Sequence, residues 1–253
     1  MKYLVYFGLF VFAYILSTLD LDLVLNQIGS IKIIYLFFAF LLNIPMIFLK
    51  SYRWQKILQK QNLNIPILKS FEYYFASLYL GFITPGRIGE ISRVLYIKKI
   101  YKSNDYGSIF SSVIIDRLFD LYFLLIVTII GFIYLSLEIS TVYIIFFLLS
   151  FIIIPFLIMK TNIFLIVIEK VASKLSSSFK EKTLLFMDNF KNSFISVFSV
   201  KNISLFSLLT LLSYSIFFIQ AYLITLSLNI NINFITLSLI ISILLNFKKK
   251  KTK

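Results

Sequence analysis

The 253-residue chain is 60% hydrophobic and 14% charged, with a mean hydropathy of +0.93. That leaves too little polar surface for a soluble domain and marks an integral membrane protein. It has no histidine and no cysteine, which excludes zinc sites, disulfides, thiol nucleophiles and imidazole bases, so neither an enzyme nor a metal or other cofactor is expected. The formal charge of +14 would suit a nucleic-acid binder if a polar domain carried it. Here the basic residues separate long apolar runs, so the charge speaks of membrane orientation and no nucleic-acid partner is expected.

A crossing helix takes about 20 mostly apolar residues, and interfacial aromatics and lysines complete shorter runs. Residues 3–19, 33–49, 121–137 and 142–159 contain no charged residue, and each is long enough to cross once. The first run is too long for a signal-peptide core and lacks a small-x-small cleavage site, so it reads as a retained helix. Residues 202–247 are again uncharged, with Asn229, Asn231 and Asn233 midway, and predict a hairpin of two crossings.

Lysine and arginine favour the cytoplasmic side. Lys50, Arg53, Lys56, Lys60 and Lys69 follow the second run, residues 160–201 carry seven lysines against three acids, and the chain ends in Lys248, Lys249, Lys250 and Lys251. All three stretches belong inside. Asp20, Asp22 and Glu138 mark short outer connections. The prediction is an all-α, polytopic helical bundle of about six crossings with both termini cytoplasmic. Residues 1–247 form one transmembrane domain, in which 160–202 is a cytoplasmic amphipathic linker. The basic tail 248–253 is either a genuine stop to transfer or the end of a truncated reading frame.

Residues 66–93 do not fit a crossing, because basic groups on both sides want the same face. Only fourteen uncharged residues separate Glu72 from Arg87, about 21 Å of helix. A re-entrant half-helix fits better, and such an element at membrane depth marks a cavity. Its sequence is Gly81-Phe82-Ile83-Thr84-Pro85-Gly86-Arg87-Ile88-Gly89-Glu90-Ile91-Ser92-Arg93. Thr84 is placed to cap a helix that opens at Pro85, and free amides at Gly86 and Arg87 beside a guanidinium would suit the phosphate of a lipid. Gly86, Gly89, Glu90 and Arg93 would share one face, with Glu90 in reach of Arg87 or Arg93. The alternative is a tight turn whose charges merely pair.

Asp116-Arg117-Leu118-Phe119-Asp120 opens the next crossing. Arg117 and Asp120 are spaced to pair, and Asp116 and Asp120 share a face, which leaves open either an interfacial ion pair or a carboxylate relay. Arg53 and Trp54 read as a headgroup-level anchor, with Arg53 a further contact if it turns inward. Glu72 is spaced to pair with Lys69. In the linker, Phe186, Phe190, Phe194 and Phe198 recur every fourth residue, which predicts an amphipathic helix on the inner leaflet or against a partner. No phosphate loop of the Gly-x-x-x-x-Gly-Lys-Ser/Thr kind occurs, so no ATP engine is expected.

Taken together, Arg53-Trp54, the stretch from Tyr79-Leu80 through Arg93, and Asp116 to Asp120 resemble the lysylphosphatidylglycerol synthase transmembrane-region family, flippase-like proteins related to the N-terminal half of multiple peptide resistance factors. The resemblance covers residues 1–247. It implies a plasma-membrane (inner-membrane) protein with re-entrant elements that handles anionic or aminoacylated phospholipid, or polyprenyl-phosphate-linked lipid. Members with aminoacyl-transfer activity carry a cytosolic catalytic domain beyond the helices, so no synthase activity is carried over to this chain. Members also usually continue past the position of Phe247. The expected function is lipid translocation or presentation, with membrane lipids as partners. Arg87, Arg93, Gly86 and Thr84 would meet phosphate, and Glu90, Asp116, Arg117 and Asp120 would set the cavity's charge. The alternative is a non-transporting accessory scaffold for envelope lipid or glycan assembly, with the linker phenylalanines facing an envelope-biosynthesis protein.

Overall fold

The computed structural model describes residues 29–101, 106–135 and 177–246, and among these every regular element is a helix. In chain order they are α1 (Ile33–Leu41), α2 (Asn43–Lys60), α3 (Ile67–Ile83), a 3-10 segment (Pro85–Ile91), α4 (Ser92–Tyr101), α5 (Tyr106–Tyr134), α6 (Ser177–Val197), α7 (Val200–Ser227) and α8 (Phe234–Asn246). Two stretches, Ile33–Lys60 and Val200–Ser227, are long and apolar enough to cross a bilayer. The runs expected at 3–19 and 142–159, the acids Asp20, Asp22 and Glu138, and the tail 248–253 lie outside the described residues.

Local chemistry explains the breaks. Pro45 has no N–H to give the Leu41 carbonyl, so the first apolar stretch is interrupted at Leu42. The Asn43 side chain instead donates to the Phe40 carbonyl at 3.0 Å. Two asparagines in the left-handed region, Asn62 (φ 61°) and Asn229 (φ 57°), end α2 and α7. At each end the following amide reaches back five residues, Leu63 to the Leu58 carbonyl and Ile230 to that of Thr225, a closure that consumes carbonyls left free by a helix end. Asn229 thus turns the chain between α7 and α8, where the uncharged run predicted a hairpin.

The centre of the bundle is α2, which runs antiparallel to three neighbours. Against α3, the Ser70 hydroxyl donates to the Ser51 carbonyl and Trp54 meets Tyr74 at 6.3 Å. Against α5, Trp54 Nε1 donates to Ser112 Oγ at 3.0 Å and Gln61 Nε2 to Ser111 Oγ at 2.8 Å. Against α7, Arg53 meets Thr210, while at the far end of α1 the Lys32 amide donates to the Ser227 carbonyl. Helix α8 returns along α5, where Thr128 Oγ1 donates to the Ser242 carbonyl.

After Ile83 the chain doubles back on itself. Leu80 receives both the Thr84 amide and its hydroxyl, and Thr84 Oγ1 accepts from the Gly89 amide at 2.7 Å. A Cβ at Gly89 would sit 2.3 Å from the Leu80 carbonyl oxygen, so only glycine permits the approach. Tyr73 then stacks on Tyr96 at 5.1 Å, and the Tyr101 hydroxyl donates to the Asn64 carbonyl. The product is a helical hairpin, α3 out and α4 back, whose two ends meet.

Three expectations change. The helix opening at Pro85 is a 3-10 segment, and Thr84 makes no cap hydrogen bond to its first amides, because that hydroxyl is committed to Leu80 and Gly89. Asp116, Arg117 and Asp120 lie inside α5, which starts ten residues earlier, at Tyr106, rather than opening it; charges that find partners do not end a helix. The linker helix α6 forms with its phenylalanines turned into the bundle. Phe190 and Phe194 are buried with Ile57, Ile115, Phe119 and Phe206, because this face has a better apolar partner in α5 than a leaflet surface would offer.

Candidate functional site

Eight charged side chains from α2, the hairpin and α5 converge at one level of the bundle. Its centre is Arg53, fully buried one helical turn after Lys50. Arg53 donates from Nε and Nη2 to Asp116 Oδ1 at 2.9 and 2.8 Å, from Nη2 to Asp120 Oδ1 at 2.8 Å, and from Nη1 to Thr210 Oγ1 at 2.5 Å. The second oxygen of Asp116 takes Arg93 Nη1 at 3.0 Å and the Tyr74 hydroxyl at 3.4 Å. The Arg93 guanidinium lies over the rings of Trp54 and Tyr74, at 5.0 and 4.5 Å. This half of the network is closed to solvent, with both arginines in charge-assisted bonds and the Arg93 face on aromatic rings.

The other half is open. Asp120 Oδ2 meets Lys50 at 3.4 Å and Arg117 at 3.5 Å, and Glu90 meets Arg87 at 3.4 Å and is in direct contact with Arg117. The side chains of Lys50, Arg117 and Arg87 are 15%, 26% and 56% exposed, against 1% and 0% for Arg53 and Arg93. Among the described residues, five basic side chains against three acidic ones leave two formal positive charges on the cluster as a whole, and its solvent-reachable cations lie on the open side.

Hydrogen bonding is also incomplete there. Of the buried side-chain polar atoms without a hydrogen-bond partner among the described residues, Glu90 Oε1, Arg93 Nη2 and Arg117 Nε belong to this cluster, while Glu90 Oε2 and Arg117 Nη2 are in direct contact with each other. Arg93 Nη2, 3.7 Å from Glu90 Oε2, and Arg117 Nε have no acceptor. Leaving such a group unmade costs about 1–3 kcal/mol, more for charged ones, so this is the part of the bundle that an anion would most stabilise.

The predicted residues are thus brought together with one exception. Arg53, Arg87, Glu90, Arg93, Asp116, Arg117 and Asp120 form the cluster, and Thr84 and Gly86 lie in the hairpin turn beside it. Glu72 is apart, paired with Lys69 at 2.8 Å on an exposed surface. Arg93 occupies the closed half, and Trp54 is buried beneath it rather than anchoring a headgroup layer. Lys50, Tyr74 and Thr210 were not foreseen; they lie dozens of residues from their partners, and only the tertiary fold connects them.

A scan of family models matches residues 2–247 to the lysylphosphatidylglycerol synthase TM region. The chain belongs to this family. A UPF0104 membrane protein of Pyrococcus horikoshii is 28% identical over 102 residues, 40% of this chain and 30% of the relative. The matched stretch is therefore less than a third of that relative's length. No solved structure matches the chain. As a member of a transmembrane family, the protein places its charge cluster among membrane helices, where each unpaired charge costs on the order of 2.5–3.5 kcal/mol on insertion scales.

Proposed function

We propose that the protein holds the phosphate of an anionic or aminoacylated phospholipid, or of a polyprenyl-phosphate-linked lipid, and passes or presents it between the leaflets of the plasma membrane. The observation that carries this reading is the excess of two positive charges in the cluster, whose exposed cations Lys50, Arg87 and Arg117 lie on its open side. In a low-dielectric setting such an excess favours an anionic partner. Arg87 makes the first contact, with Arg117 and Lys50 behind it. Arg93 and Arg53 hold Asp116 and Asp120 in place. On this reading the cluster is no catalytic site, because its carboxylates are occupied by arginines and a lysine.

The topology that goes with it has about six crossings, both termini cytoplasmic, and the α3–α4 hairpin entering and leaving from the cytoplasmic side. Helix directions support it. With Lys60 inside, antiparallel packing starts α5 and α7 inside and brings α8 back, and the Tyr101–Asn64 contact returns the hairpin to its own entry level. The scaffold alternative leaned on the linker phenylalanines as partner contacts, and of these Phe190 and Phe194 are buried in the bundle while Phe186 and Phe198 are partly buried.

The test is transbilayer exchange in liposomes reconstituted with purified protein, using labelled anionic and aminoacylated phospholipids. Exchange should accelerate with the native chain and fall to background with Arg87→Ala, which leaves the closed half intact. Folded native protein with no effect on exchange would remove the transport reading and return the scaffold to first place.

A further inference from the structure

A groove of about 300 Å³ runs between α5 and α7. Its walls include Leu118, Tyr122, Phe123, Phe198, Ile203 and Thr210. Its mouth is formed by exposed Ile126 and Ile203, and its floor by buried Phe119 and Thr210. That size lies at the lower end of small-molecule sites, and the lining suits hydrocarbon rather than a polar headgroup.

Two routes tie this groove to the charge cluster. Thr210, at its floor, accepts the hydrogen bond from Arg53 Nη1. Phe123, on its wall, stacks on Tyr214 at 4.9 Å, and the Lys50 ammonium lies 4.5 Å from the centroid of that same Tyr214 ring. On α5, Arg117 directly precedes Leu118, and Asp120 lies between groove residues Phe119 and Tyr122. An apolar slot therefore begins at the level where the network carries its uncompensated positive charge.

We infer that the α5–α7 groove holds one acyl chain of the anionic phospholipid whose phosphate sits at Lys50 and Arg117. The inference rests on the lipid reading above and adds a tail site to it. Charge complementarity selects the occupant: a zwitterionic lipid brings its own cation and gains less from two excess positive charges. A chain seated in the slot would orient its headgroup at the cluster, so that the lipid is recognised by charge and tail together.

The native chain contains one tryptophan, Trp54, which is fully buried and so gives a constant background to contact quenchers. A Phe123→Trp variant, with Phe198→Trp as a second reporter from the α7 side, is placed in vesicles mixing phosphatidylglycerol and phosphatidylcholine. One or the other lipid carries bromine on its chains, at equal mole fraction. Ile133→Trp, 73% exposed on the same helix, reports bulk lipid. Brominated phosphatidylglycerol should quench the groove reporters several-fold more than brominated phosphatidylcholine, while Ile133→Trp shows no preference. Ser207→Phe, which fills the slot, should abolish the preference. Equal quenching by both lipids in the groove, or the same preference at Ile133→Trp, overturns the inference. Groove preference without lipid exchange keeps the tail site and removes transport; exchange sensitive to Arg87→Ala without groove preference does the reverse.

Discussion

The two halves of the charge network use the same residue types to different ends. In the closed half, Arg53 and Arg93 share Asp116 at 2.8 and 3.0 Å, and Trp54 and Tyr74 cover the Arg93 guanidinium. In the open half, Glu90 is in contact with three arginines, and Arg93 Nη2 and Arg117 Nε beside it have no hydrogen-bond partner among the described residues. A buried network that is fully satisfied specifies the fold; one left short of partners marks where something else binds. The pairing of the hairpin with α5 depends on the first, and the proposed chemistry on the second.

That division can be broken from either side. Asp116→Ala should have the largest effect, because it strands the buried Arg93 and takes one of two carboxylates from Arg53: about 3–5 kcal/mol is lost when one partner leaves a buried pair. The loss should appear as a collapse of the unfolding midpoint in detergent. Gly89→Ala comes next. Its added methyl meets backbone at Leu80, which cannot yield, and overpacking of this kind costs about 1–3 kcal/mol. The milder Gly81→Ala meets the Glu90 side chain, with Cγ at 2.6 Å, rather than backbone and should displace Glu90 at a smaller cost, so the two glycines compared by thermal melting separate the hairpin's backbone contact from its side-chain one. Arg87→Ala should change stability by less than about 0.5 kcal/mol, as surface substitutions do, while abolishing lipid exchange. Glu72→Gln, in an exposed pair away from the cluster, should leave both melting and exchange unchanged; a loss of exchange there would show that the open half extends beyond the eight residues named.

Much of the architecture follows from patterns that need no neighbours. Uncharged runs locate α1, the outer half of α5, and α7 with α8, because hydrocarbon demands length and apolarity and little else. The motif from Gly81 to Arg93 announces itself because proline and glycine sit where a chain reverses. Partners are a different matter. An arginine and tryptophan at the end of an apolar run look the same whether they face headgroups or a buried aspartate on another helix, and Arg53 meets Asp116 across 63 positions of sequence. Lys50 reads as one more positive charge inside the cell until Asp120 is seen beside it. For α6 the four-residue spacing of its phenylalanines predicts the helix correctly, since spacing reports which residues share a face. It carries no information on whether that face meets lipid or α5.

Arg87 sits at φ 59°, a left-handed backbone conformation that a side chain other than glycine, asparagine or aspartate adopts only at a cost of about 1–3 kcal/mol. The turn therefore holds a strained residue at the most exposed cation of the network, in a stretch where glycines occupy positions 81, 86 and 89. An Arg87→Gly chain should melt higher than Arg87→Ala and be equally inactive. Strain retained at that one position would make the guanidinium a feature the fold tolerates for use rather than for stability.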